Sequence, residues 1–262
     1  MNIFDKHPIN DGFSNFELTA RALGLRIISN FDDWLFPECI MRMVELAEGN
    51  PTVGIVGAYR LDDVHVTCDG LPYPSTVISG RDICRLQLQG GLYVFGSPTS
   101  LLIRSDIIRN RDPFYNENSS ILADTEACYE ILQNCDFGFV HQVLTFTRRE
   151  NVSISSLVRN FNPDILDKLI QAKKYGQIYL EEEEYKQLLK SVEERYFRFL
   201  GESVFENRSS KFWQYHKEGL RYVGYGRVWQ KVLKYAVLTF LDFALNLKRV
   251  AKRVFRLFVR SR

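Results

Sequence analysis

Two short acidic strings have residue types that could do chemistry. Asn30-Phe31-Asp32-Asp33 follows the apolar run Leu25–Ile28, and Ala123-Asp124-Thr125-Glu126 opens a stretch of helical spacing that ends near Cys135. Carboxylates at the carboxyl end of a strand in an α/β sheet sit where ligands bind. One or two carboxylates together with substrate phosphates also suit Mg²⁺ or Mn²⁺, which keep oxygen ligands. A carboxylate fixed at a helix start, such as Asp124, can act as general base on a hydroxyl within hydrogen-bond reach. Each string has a plainer reading. Asp32 and Asp33 can be loop residues drawn to the next helix by its dipole, and Asp124 can be an N-cap with Glu126 in the first turn. A third candidate, Gly96-Ser97-Pro98-Thr99, offers small residues that let a backbone approach a substrate, or simply turn the chain.

The elements that must position these residues alternate up to about Glu150. Leu25–Ile28 reads as a strand, and a helix begins near Pro37 with Ile40, Met43, Val44 and Ala47 on one face. Gly49-Asn50-Pro51 stops it, and Val53–Tyr59 reads as the next strand. Turn-rich residues 68–80 follow, then a helix over Asp82–Gln89 and a strand over Ser100–Arg104. Ala127, Cys128, Ile131, Leu132 and Cys135 keep helical spacing, and Phe137–Val140 and Val143–Thr147 read as two short strands. Such alternation predicts an α/β sheet. Beyond Pro163 strand signals stop, and 163–176, 180–200 and roughly 228–259 read as helices. The expected division is an α/β domain over 1–160 and a helical region over 161–262.

Taken together, the acidic and small-residue segments resemble the family-2 glycosyltransferases. Asp32-Asp33-Trp34-Leu35-Phe36-Pro37-Glu38 is similar to the family's metal-binding segment, in which D-x-D is followed by an aromatic, an apolar residue and proline. Gly96 to Arg104 looks like its small-residue loop and following strand, and Asp124-Thr125-Glu126 falls at its later acidic motif. Thr145-Phe146-Thr147-Arg148-Arg149 stands where the family has an aromatic-x-Arg strand end. The resemblance covers roughly residues 15 to 155. It departs in three places: Asn30 stands for the first Asp of D-x-D, Ala123 for an acidic residue, and Glu150 for a histidine.

The resemblance implies a GT-A-type α/β fold, here partial, and inverting transfer of a sugar from a nucleotide-sugar donor to a glycan or lipid-linked acceptor. It implies a divalent metal (Mn or Mg) on Asp32 and Asn30, with Asp124 as base and Glu126 beside it at the acceptor. Asp33, Trp34, Gly96, Ser97 and Arg148 would contact substrate, Asp33 by shaping the acidic loop. Family members open with two strands that grip the base and ribose, and Met1–Phe13 shows no such unit. The donor half is therefore expected to be absent and nucleotide binding weak. The rival expectation is a non-catalytic remnant that binds membrane or a partner.

Charge sets the carboxyl-terminal part of the chain apart. From Lys211 onward thirteen basic residues face two acids, a net +11, which leaves −9 for the first 210 residues of a chain whose total is +2. Such asymmetry points to an anionic partner. Leu233, Val237, Phe240, Ala244, Leu247, Ala251, Val254 and Phe258 form a seam of 3.5-residue period, ringed late by Lys248, Arg249, Lys252, Arg253, Arg256 and Arg260. A basic amphipathic helix over 228–262 fits an anionic membrane surface, and a seam packed on protein fits equally. Nucleic acid is not expected, since no nucleic-acid module accompanies the charge. Five cysteines without a C-x-x-C pair, and no apolar run of spanning length, lead to an expected cytoplasmic protein, peripheral on the inner membrane face.

Overall fold

The computed structural model of the protein describes residues 25–26, 33–73, 75–115, 123–147, 159–226 and 228–260. The chain divides into two compact units, Met1–Ser156 and Leu157–Arg262. The first is a mixed α/β unit and the second is helical.

Among the described residues seven strands form the sheet of the first unit: β1 (Leu25–Arg26), β2 (Asp33–Leu35), β3 (Val53–Asp62), β4 (His65–Thr67), β5 (Val77–Ile78), β6 (Leu101–Arg104) and β7 (Asp136–Thr147). Their order is β1-β6-β3-β7-β2, with β4 added to β3 and β5 to β7. β3 and β7 run parallel, and every other pairing is antiparallel. The runs read from sequence at 25, 53 and 101 thus lie in one sheet.

Six successive buried residues, Val53 to Ala58, open β3, because both faces of the sheet are covered. On one side helix α1 (Cys39–Glu48) contributes Cys39, Met43 and Val44 to a cluster with Val56, Leu102 and Leu144. Elsewhere in the unit Phe95 bridges Phe137 of β7 and Tyr129, with ring centroids 6.0 and 5.4 Å away. α2 (Gly80–Leu88) starts at Ser79, whose hydroxyl accepts from the Asp82 N–H. α3 (Ser105–Arg109) follows β6 directly, and Tyr129 belongs to α4 (Ala123–Ile131).

Two local expectations are corrected. Asp33-Trp34-Leu35 is not loop but strand, since β7 offers it an open edge: Asp33 pairs Thr147 and Leu35 pairs Thr145. The two short strands over 137–147 are one strand of twelve residues. Ala58 pairs Val140 while Tyr59 pairs Val143, so β7 carries extra residues at this point, the mark of a bulge. His141 at the bulge is held by the Tyr59 hydroxyl at 2.9 Å and the Ser75 carbonyl at 2.8 Å. The segments 1–24 and 27–32 lie outside the described residues, with the helix expected over 14–24.

The second unit has α5 (Pro163–Tyr179), α6 (Glu182–Ser203), α7 (Ser210–Tyr222) and α8 (Trp229–Arg260). α7 was not read from the sequence, although Ser209 caps it by accepting from the Phe212 N–H. The core gathers Leu166, Leu169, Ile170, Tyr196, Phe197, Leu200, Phe212 and Val232. Inside it His216, 1% exposed, joins α6 to α7. Its Nε2–H donates to the Phe161 carbonyl at 2.9 Å, which leaves Nδ1 to accept from the Tyr196 hydroxyl at 3.0 Å. Burial, more than any neighbour, pushes the imidazole pKa down to about 4, so the ring is neutral. α8 crosses α6 at Gly201, where an added Cβ would come within 2.7 Å of the Ala236 nitrogen. Only glycine lets the two backbones approach so closely.

Candidate functional site

The parallel strands β3 and β7 end side by side at Asp62 and Thr147, which are register partners. Thr147 also pairs Asp33 on the other edge. Asp33, Thr147 and Asp62 therefore stand in one row across three strands. Two strand spacings separate the outer pair, about 10 Å between backbones. The crevice outside the carboxyl ends of parallel strands is the usual ligand position in α/β sheets.

Charge is concentrated and buried at this end. Asp33 is 5% exposed, Arg60 8% and Asp62 3%. Residues two apart share a strand face, so Arg60 reaches Asp62 with two hydrogen bonds, Nε at 2.6 Å and Nη2 at 3.0 Å. Burial opposes the Arg60 charge, but the Asp62 hydrogen bond and charge outweigh it and raise its pKa. The hydroxyls of Thr145 and Thr147 are buried here with no hydrogen-bond partner among the described residues. Sequence reading passed over Arg60 and Asp62. The signal was an Arg-x-Asp pair closing an otherwise apolar strand.

The small-residue loop meets this row. Ser97 Oγ comes within 3.5 Å of Asp33 Oδ2, the outer limit of a hydrogen bond, across 64 residues of sequence. The loop is built to be rigid. Gly96 has φ +58°, and a Cβ there would lie 2.1 Å from Ser100 Oγ. The Ser97 N–H donates to Ser100 Oγ at 2.9 Å, whose hydroxyl donates to the Ser97 carbonyl at 2.7 Å. Tyr93 donates to the Gly96 carbonyl at 2.8 Å.

On its other side the loop meets Asp124. A small recess is lined by Pro98, Leu101, Phe114, Tyr115, Asp124 and Cys128. Asp124 opens α4, and its Oδ1 accepts from the Thr125 N–H at 2.7 Å. Burial pushes its carboxyl above the ordinary range, partly offset by that hydrogen bond and by the Arg60 charge. Burial, assisted by the Asp124 charge, likewise pushes the Tyr115 phenol up. A carboxylate with raised pKa beside a phenol is a fitting proton acceptor.

The structure thus joins Asp33, Gly96, Ser97 and Asp124 through one loop. Trp34 lies apart: alternation turns it away from Asp33, and it is 72% exposed, 6.0 Å from the Phe146 ring. Glu126 is 2% exposed and does not line the recess, because residues two apart on a helix do not face each other. Asn30, Asp32 and Arg148 lie outside the described residues, Arg148 directly after the last residue of β7. Among the described residues no group of three His, Cys, Asp or Glu side chains could hold a metal ion, and Asp62 is engaged by Arg60. The described donor set does not by itself fit a divalent ion.

Fold and site define an α/β unit with buried charge at the carboxyl ends of two parallel strands. No family profile matches the chain, and no curated protein matches it. Among solved structures the chain is similar to S. aureus TarS 1–349, with TM-score 0.45 and 11% identity over 77% of this chain and 56% of that one. The same protein in complex with UDP-GlcNAc gives TM-score 0.46 and 14% identity, over 76% and 56%. Its complex with UDP gives 0.45 and 12%, over 75% and 54%. The chain spans just over half the length of these structures.

Proposed function

We propose that the α/β unit is the acceptor-side part of a family-2-type, GT-A-like glycosyltransferase that moves a sugar from a nucleotide-sugar donor to a glycan or lipid-linked hydroxyl. One observation carries the reading. The loop at Gly96–Pro98 touches Asp33 on one side and shares a recess with Asp124 on the other, so three of the four segments of the resemblance meet at one strand end. The fourth, the aromatic-x-Arg segment, contributes Thr147 to the same row.

In this reading Asp124 takes the proton of the acceptor hydroxyl. The freed oxygen attacks the anomeric carbon, the bond to the diphosphate breaks with its electron pair, and the configuration inverts. Its raised pKa suits Asp124 to hold that proton. The loop backbone at Gly96 gives the sugar close approach. A Mg²⁺ or Mn²⁺ ion would rest on Asp32, Asn30 and the donor phosphates, where it would stabilise the charge of the leaving group.

The test is nucleoside-diphosphate release and sugar transfer by the purified chain across UDP-sugar donors, with Mn²⁺, Mg²⁺ or chelator. Asp124→Asn is expected to lower transfer by about 10²–10⁴-fold, the range for removing a general base. The Asp124 rate limb should fall as pH drops through a value above the ordinary carboxylate range. A folded chain that neither binds nor turns over any donor would instead leave the non-catalytic binding reading standing.

A further inference from the structure

Among the described side chains of α8, only some of the apolar ones are packed. Val232 and Ala236 are buried, at 2% and 5%, and Ala236 stands at the Gly201 crossing with α6. The neighbouring flank carries the sequence seam and stays open: Leu233 is 65% exposed, Val237 49% and Phe240 56%. Phe243, 63% exposed, continues the Val232–Ala236 stripe two turns past the crossing, where that stripe is open too. At 1.5 Å per residue the 32 residues of α8 run about 48 Å, so packing near its start leaves most of the helix length beyond the crossing. Exposed apolar residues gathered over the described side chains 233–243 mark an interaction surface.

Charge identifies the occupant. After Asp242 the helix holds Lys248, Arg249, Lys252, Arg253, Arg256 and Arg260, and no acid. A second copy of the chain would set these six cations against another six. A nucleic acid would satisfy the cations and leave the phenylalanines in water. An anionic lipid surface takes both, accepting apolar side chains at the acyl boundary and cations at the headgroups. Trp229, 64% exposed beside Trp213 at 5.8 Å between centroids, adds an aromatic pair of the kind enriched at membrane interfaces. No helix among the described residues is long and apolar enough to cross a membrane, so the contact is with the surface.

We propose that α8 seats the chain on an anionic lipid surface through its exposed apolar flank and its late basic residues. This does not rest on the transferase reading, and an inactive chain would bind in the same way.

The experiment is co-sedimentation of the whole chain with phosphatidylcholine vesicles made with and without phosphatidylglycerol. Binding is expected only with the anionic lipid and should weaken as salt rises. Changing the six late cations to Gln should lower affinity by more than roughly a hundredfold, since each contributes severalfold near such a surface. Phe240→Ser with Phe243→Ser should lower it at least about tenfold through lost apolar burial. Circular dichroism and melting are the folding controls for both, and the second should melt like the wild type because its altered side chains are exposed. Equal binding to neutral vesicles, no binding to either, or variants that sediment like the wild type overturns the proposal. So does a wild-type dimer that the Phe240→Ser, Phe243→Ser chain loses, which would give the face to a second copy. Capture by polyglutamate or DNA without vesicle binding would also overturn it.

Discussion

At the carboxyl ends of β3 and β7 the protein buries charge, whereas along α8 it exposes apolar side chains. Asp33, Arg60 and Asp62 are each under a tenth exposed, while Leu233, Phe240 and Phe243 are each over half exposed. Ordinary folding does neither, and each departure is the informative kind. The first is held by geometry: two parallel hydrogen bonds, at 2.6 and 3.0 Å, offset the desolvation of Arg60 and Asp62. The second has no such pairing among the described residues, where these side chains stay more than half exposed. The buried charge is thus bound up with the stability of its unit, and the exposed flank is free to serve a contact.

That difference can be broken, beginning with the largest effect. Asp62→Ala leaves the Arg60 guanidinium buried without its partner and should cost about 3–5 kcal/mol. Denaturant melting measures it, and replacing both residues by Leu and Met should recover much of the loss. If Asp62→Ala melts like the wild type, the pair is not holding the strand ends.

The next effect belongs to the helical unit and depends on pH. His216 has its folded pKa depressed from 6.5 to about 4 by burial. Between those values the unfolded chain binds a proton that the folded chain refuses, so stability rises with pH. The contribution is complete above pH 6.5 and is lost as pH falls toward 4, a span worth roughly 3 kcal/mol. His216→Gln should flatten this dependence in melts taken across that window. A wild-type curve already flat there would contradict a neutral buried imidazole.

Gly201→Ala should come third. Its Cβ would push on the backbone of Tyr235 and Ala236, and overpacking of this kind costs about 1–3 kcal/mol. The loss should appear in the melting of the helical unit and leave the Asp62-dependent transition where it was. Smallest of all, Phe240→Ser should change stability by no more than about 0.5 kcal/mol, as exposed substitutions do. A larger loss in that variant would mean the flank is covered and would erase the contrast between the two regions.

The sequence by itself carried whatever local chemistry decides. Pro37 ahead of α1, Gly49-Asn50-Pro51 after it, and the apolar spacing of 40, 43, 44 and 47 located that helix within two residues of Cys39–Glu48. Strand runs at 53 and 101 and the long helices beyond 163 were legible for the same reason: periodicity and caps act within a few residues. The Ser209 cap of α7 was equally local and simply lay in a segment without an apolar run.

Tertiary structure decided the rest. Asp33 to Leu35 is too short a run to show a strand period and becomes β2 only because β7 brings an edge to it from over a hundred residues away. The join of Asp33 to Ser97 is set by the same sheet, and so is the Arg60–Asp62 pair, whose significance lies in burial rather than in residue type. In α8 the sequence supplied an amphipathic helix but not which flank would be used. Gly201 made that choice by letting Val232 and Ala236 pack, and left Leu233, Val237 and Phe240 outside. Pairing, burial and docking depend on which distant segment arrives, and no window of neighbouring residues contains that information.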